Sequence, residues 1–411
     1  MATTGESSAA TKDPGWRKAG MFKGIGLPVP SGPHQVGSVD VMPLCKGDDS
    51  GLLFRLYYPT EATPDSGYHY PPWLPDSCYA KGYMLQKMPS FVAGAVGSLA
   101  TMFCGQNIAA LYGAPVKTST PLPVIMFSHG VVGMRTTYSA VCCDLASHGY
   151  LVAAVEHRDH SSGYCYTKCK KDGSQEFVDH WIPYGKPPSS GVEELIFRFQ
   201  QLTIRRKEIL LGLDFIQQLD GSGEFENLLQ SDFDFKQFKG KLDLVHTAMM
   251  GHSFGGATTV TALADDKRFR VGIGLDTYMM PVEDGIEDKV EQPLLFINSW
   301  TWQWPKSVIK MKRIVDVGPR NDKYPTRQLI TIRETNHEDH SDVGFILPSR
   351  RSPVSPDVTT ILRTNMKLCI AFLNRHLWED STYPVKDLDE SDTDSSGIVY
   401  HGTNVKIESK V

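Results

Sequence analysis

The chain has 411 residues, 41% of them hydrophobic and 22% charged, with a formal net charge of -5. That length suits one large α/β domain with insertions or two ordinary domains, and neither the charged fraction nor the net charge suggests disorder. A mildly acidic balance gives no basis for nucleic acid as a partner.

Residues 1–24 are polar and read as a flexible arm. They contain no apolar h-region, so no secretory signal peptide is expected, and Ala2 stands where N-myristoylation requires glycine. Eight cysteines without framework spacing point to reduced thiols and a cytoplasmic chain. Cys165 and Cys169 have the spacing of half a zinc site, but no second ligand pair matches them, so no metal is expected. A single catalytic domain is read over 25–378.

Val36–Met42 and Leu52–Tyr58 are β-rich runs bounded by Gly, Asp and Pro, and they predict antiparallel strands opening a mixed sheet. Residues 60–80, rich in Pro and Tyr, read as an irregular excursion. From 88 to 116 there is no charged side chain, and the apolar residues include Phe91, Val96, Leu99, Phe103, Ile108 and Leu111. Glycines and amides interrupt this stretch too often for a membrane span of ~20 residues. Two readings stay open: a helical segment covering a pocket, or a peripheral contact with a membrane surface.

Pro121–Ser128 predicts a buried parallel strand ending at His129-Gly130, Thr137–His148 a helix, and Leu151–Val155 another strand. Residues 160–190 read as a polar loop. Val192–Leu219 carries apolar residues at helical spacing. Val245–Met250 reads as a strand and Gly255–Ala264 as a helix; Val271–Leu275, Leu294–Asn298 and Gln328–Ile332 are further strands, and Thr359–Leu377 is the last helix. Residues 379–411 are acidic and serine-rich, and disorder is expected there. This alternation predicts a mostly parallel central sheet with helices on both faces.

Gly251-His252-Ser253-Phe254-Gly255 matches G-x-S-x-G, the nucleophile elbow of the α/β-hydrolase fold. A strand precedes it and small residues follow, as a helix packed closely on a sheet requires. Ser253 is therefore the candidate nucleophile. A serine hydroxyl needs a histidine base oriented by a carboxylate, and in this fold the chain order is Ser, acid, His. His337, His340, His376 and His401 follow Ser253. His337 is preferred over His340 because it lies nearer the end of the strand Gln328–Ile332; His376 sits near a helix end and His401 in the tail. Asp276, at the carboxyl end of its strand, is the preferred acid over Asp316 and Asp322. The tip one strand later holds Asn298 and Ser299, which cannot be carboxylates. The backbone N–H groups of Phe254 and Val131 are the candidate oxyanion donors. No cofactor is called for.

At these residues the chain resembles the platelet-activating-factor acetylhydrolases of the plasma and intracellular type-two kind. Phe127-Ser-His-Gly130, Asp144-Leu-Ala-Ser-His-Gly-Tyr-Leu-Val-Ala-Ala-Val-Glu-His-Arg-Asp159, the elbow through Thr258 and Leu275-Asp-Thr-Tyr-Met-Met-Pro281 carry the likeness. It implies a calcium-independent serine esterase acting on the sn-2 ester of phospholipids with a short or oxidised acyl chain. It matches Ser253, Asp276 and His337 to the family's triad, and Val131 and Phe254 to its oxyanion donors. It also implies membrane contact through a helical region before the His-Gly strand, where 88–116 falls. Rival readings are a general carboxylesterase or lipase of the same fold and an inactive lipid-binding module.

Overall fold

The structure, a computed structural model, describes residues 26–45, 47–87, 105–189, 191–318, 326–347, 355–377 and 397–406. Two strands open the sheet, β1 (Gln35–Val41) and β2 (Phe54–Thr60), antiparallel in a register that sets Gln35 against Thr60. A short β3 (Leu111–Tyr112) adds to the outer side of β1. The parallel heart comprises β4 (Leu122–Ser128), β5 (Leu151–Val155), β8 (Leu242–His252), β9 (Phe269–Leu275), β10 (Leu294–Ser299) and β11 (Arg327–Ile332). With β12 (Val399–His401), antiparallel to β11, the 10-stranded order is β12-β11-β10-β9-β8-β4-β5-β2-β1-β3. β6 (Tyr164–Lys170) and β7 (Phe177–Pro183) form a separate hairpin.

Side-chain alternation along the strands splits the core in two. Ile125 and Phe127 of β4 face one cluster with α2 (Ser139–Ser147) and α7 (Val358–Leu377). Val124 and Met126 face the other, against α3 (Gly191–Gly221), α4 (Phe254–Asp265) and α5 (Pro305–Asp316). Both faces of the parallel strands are thus covered, which explains their near-continuous apolar runs. The remaining helices are α1 (Ser77–Lys87) and the short α6 (Val343–Ile346). Together these features are the α/β-hydrolase architecture expected from the sequence.

Three local expectations change. The polar stretch 160–190 contains the β6–β7 hairpin; Asp172-Gly173, with Gly173 at φ 69, is the turn signal that marks it. The tail read as disordered contributes β12, because the unpaired edge of β11 offers backbone groups that Val399–His401 satisfy. Within 88–116, the candidate interfacial segment, Ile108, Ala110, Leu111 and Ala114 are all buried, and β3 ties the chain to the sheet. Those residues are packed into the protein and are not free to enter a lipid surface. Residues 88–104, like 1–24, 379–396 and 407–411, lie outside the described residues. No described helix is long and apolar enough to cross a membrane.

Candidate active site

At the end of β8 the chain turns sharply into α4, and Ser253 sits on that turn at φ 57, ψ -115. A non-glycine residue with this backbone is strained by about 1–3 kcal/mol and persists only where its surroundings hold it. Here the Ser253 N–H donates to Leu275 O at 2.8 Å, and its carbonyl accepts from Gly256 and Tyr278. The flanking glycines are steric necessities. A Cβ on Gly255 would lie 1.9 Å from Ser128 O, and one on Gly251 would lie 2.3 Å from Gly255 O.

β9 and β11 deliver the other two groups. Asp276 follows β9 directly, at φ 43, with its N–H bonded to Ile297 O at 2.8 Å. His337 opens a single 3-10 turn, His337–His340, beyond β11. Its Nδ1 lies 2.9 Å from Asp276 Oδ2, which assigns the Nδ1–H to the carboxylate and leaves Nε2 as the basic nitrogen. His340 Nε2 stands 3.8 Å from the same oxygen, but its ring is fully enclosed, whereas the His337 side chain is 20% exposed. Asn365 hydrogen-bonds His340 Nδ1 at 3.1 Å, so His340 serves as a packed neighbour behind the pair.

The tip of β10, passed over as an acid position, supports the acid instead. Ser299 donates to Asp276 twice, from its N–H at 2.6 Å and its hydroxyl at 2.5 Å. Burial alone would raise the Asp276 pKa. The His337 bond, the neighbouring imidazoles and the Ser299 hydroxyl outweigh it and hold the carboxyl below its ordinary value.

The His337 ring is clasped on two sides. Trp302 stacks on it at 3.9 Å between centroids, and His252 lies at 4.3 Å. His252 is neutral: burial drives its pKa far down, helped by the two nearby histidines, and its Nδ1 hydrogen-bonds Tyr138 OH at 2.8 Å. The ligand-capable atoms of His252, Asp276 and His337 all lie within 4.8 Å of one another. Ser299, Trp302, Tyr138 and His252 were not singled out from the sequence; the Trp300-Thr-Trp-Gln-Trp304 run beside the β10 tip is the signal that could have found Trp302.

The elbow also meets the loop after β4. A Cβ on Gly130 would fall 3.1 Å from Ser253 Cβ, so the backbone of His129-Gly130-Val131 passes directly over Ser253. Gly130 N–H is taken by Tyr138 OH at 3.0 Å and Val132 N–H by Ser161 O at 2.7 Å. Among the described residues, the N–H groups of Val131 and Phe254 have no such partner and remain available. Ser253, Phe254 and Val131 thus gather at one place, and Asp276 and His337 are joined beside it. Among the described residues no hydrogen bond joins the Ser253 hydroxyl to His337, whose Nδ1 is bonded to Asp276. The rival residues lie elsewhere. Asp316 pairs with Lys312 at the end of α5, Asp322 is outside the described residues, His376 packs on Phe372, and His401 belongs to β12.

Comparison with known proteins gives the chain a family and a set of relatives. Residues 19–396 match the family model "Platelet-activating factor acetylhydrolase, isoform II". The chain is 34% identical to the platelet-activating factor acetylhydrolase of Gallus gallus over 98% of this chain and 95% of that one. It is 34% identical to that of Canis lupus familiaris, over 93% and 83%. A putative phospholipase A2 of Schizosaccharomyces pombe is 27% identical over 61% of each. Among solved structures, the ferulic acid esterase of Streptomyces cinnamoneus shares the fold, with a TM-score of 0.61, 18% identity, and coverage of 91% of this chain and 98% of that one. By the extent of these matches, this chain belongs to the platelet-activating factor acetylhydrolase family, isoform II.

Proposed function

We propose that the chain is a calcium-independent serine esterase that hydrolyses the sn-2 acetyl, short or oxidised acyl ester of platelet-activating factor and related phospholipids. The observation that carries the reading is the Asp276–His337 pair set beside a strained serine, with the N–H of Val131 on the loop after β4 and the N–H of Phe254 at the start of α4 both without a partner among the described residues. Family membership supports the substrate class.

In the first step His337 Nε2 takes the Ser253 proton as the hydroxyl attacks the sn-2 carbonyl. The N–H groups of Phe254 and Val131 hold the resulting oxyanion. The tetrahedral intermediate collapses, the ester C–O bond breaks, and the lysophospholipid oxygen leaves with the proton from His337. Water, deprotonated by His337, then attacks the acyl-enzyme; collapse frees the carboxylic acid and returns the proton to Ser253. Asp276 orients the imidazole and stabilises its charged form throughout. A cytoplasmic location with peripheral membrane association belongs to the same reading; the free state of the described cysteines supports a reducing compartment.

A fluorophosphonate probe followed by peptide mapping tests the nucleophile. Labelling is expected on Ser253, and Ser253→Ala should lose turnover while keeping its fold. Undiminished esterase activity in that variant would end the proposal. A panel of phosphatidylcholines graded by sn-2 length tests the substrate: activity should fall steeply beyond short or oxidised chains, and preference for simple esters or triglycerides would point to a general carboxylesterase or lipase.

A further inference from the structure

One buried side chain touches both the loop that carries Val131 and the ring of Phe254, and it comes from neither element. Arg205, in the middle of α3, is fully buried. Its Nη1 donates to His129 O at 2.5 Å and to Ser128 Oγ at 3.3 Å. Its Nε donates to Asp159 Oδ2 at 2.8 Å, and Nη2 donates to Ser161 Oγ. The guanidinium carbon lies over the Phe254 ring, 4.5 Å from its centroid, a cation–π contact between two buried side chains.

Each contact constrains a donor. The bond to His129 O fixes the peptide plane that leads into Gly130 and Val131. Ser161, held by Arg205 through its hydroxyl, accepts the Val132 N–H through its carbonyl at 2.7 Å. Val132 is thereby kept at φ 68, a conformation a β-branched residue avoids. Between these two anchors Val131 N–H is the amide left over. On the other side, the guanidinium seats the Phe254 ring, and with it the first residue of α4. Behind this, Ser128 Oγ meets His157 Nε2 at 2.8 Å and His157 Nδ1 meets Glu208 Oε2 at 2.8 Å. That chain has the connectivity of a catalytic triad but is wholly buried, and burial and the Arg205 charge keep its histidine neutral, so it braces the same loop.

We infer that Arg205 is a positioning residue for the reaction: it clamps the loop after β4 and the first residue of α4 so that the Val131 and Phe254 N–H groups converge on the oxyanion. The inference rests on the roles proposed above for Ser253, Val131 and Phe254. Lysine keeps the charge but lacks the planar fork that spans His129 O, Ser161 and Asp159.

The test compares the full-length chain with Arg205→Lys, checked for fold by circular dichroism and counted for active sites by exhaustive fluorophosphonate labelling. Per active site, kcat on a short-chain phosphatidylcholine should fall about 10²-fold, the scale of an ångström of misplacement, with KM nearly unchanged. Affinity for a trifluoromethyl ketone, which forms a tetrahedral oxyanion on the serine, should fall in parallel, while affinity for an unreactive ether lipid should not. A purely structural role would lower the number of active sites without this split. If Arg205→Lys does not fold, Ser161→Ala, which removes one acceptor, should show a smaller loss with the same split. Wild-type kcat and ketone affinity in a folded variant overturn the inference. Ser253→Ala separates the layers: if it is inactive while Arg205→Lys is fully active, only the clamp fails; if it is active, the nucleophile fails too.

Discussion

Asp276 is a buried carboxylate whose charge depends on its neighbours, and His337 depends on it in turn. A group held below its ordinary pKa adds stability that is fully present above the unfolded value, about 3.9, and is lost as pH falls through its lowered folded value. Ser299→Ala removes one charge-assisted hydrogen bond while the Ser299 N–H remains; a loss of about 1.5–3 kcal/mol is expected, read as an earlier acid-unfolding midpoint. In pH profiles of kcat/KM the acidic limb should also move upward. Asp276→Asn should cost far more, about 10⁴-fold in kcat, because the imidazole would no longer be held in the working tautomer. Steady-state kinetics with intact folding checks both, and near-normal kcat in Asp276→Asn would remove the aspartate from the mechanism. The placement of Ser253, Asp276 and His337 at strand ends was legible from pattern and chain order. Ser299 and Trp302 were not, since their contacts cross between strand tips and loops far apart in sequence.

The loop that carries His337 is fastened to the rest of the fold through a helix end. Asp342, just before α6, accepts the N–H groups of Ser139 at 2.7 Å and Ala140 at 3.0 Å, the first residues of α2, and the indole N–H of Trp73 at 2.9 Å. Those donors and the helix N-terminus favour the charged form, yet complete burial pushes the Asp342 pKa up to about 7. Between about pH 4 and 7 the folded chain then binds a proton that the unfolded chain has released, so this group's contribution to stability falls as pH rises through that window. Urea midpoints measured at pH 5 and pH 8 should show that slope in the wild type. Asp342→Asn, which cannot titrate, should flatten it, and an unchanged slope would show that another group is responsible. At this scale the long apolar-periodic helices were plain in the sequence. α1 and α5 were missed, the first because Pro and Tyr dominate its approach, the second because lysines interleave its apolar positions.

Across the whole molecule, near-continuous apolar strands separated by helices made the parallel sheet readable, because burial on both faces leaves no room for polar alternation. The far edge was not readable: β12 is three residues long and lies in an acidic, serine-rich context. It nevertheless connects to the site. Thr403 donates to Gln303 at 2.6 Å and Asn404 to Trp300 O at 2.9 Å, on the loop that presents Trp302 to His337. Ending the chain at residue 396 should therefore lower stability by roughly 2–4 kcal/mol, a few net hydrogen bonds, and expose β11 as a pairing edge. Denaturation and light scattering would register the change as a lower midpoint and concentration-dependent association; neither change would mean that β12 is dispensable. The adjoining tips of β9 and β10 have a different consequence. Asp276 donates its N–H to Ile297, and Ser299 reaches back to its carboxylate, so two neighbouring ledges stand within range of one imidazole. A transplant of the acid is therefore feasible: Asp276→Ser combined with Ser299→Asp should regain part of the turnover that Asp276→Ser alone forfeits, and no recovery would mean that only the first ledge aims correctly.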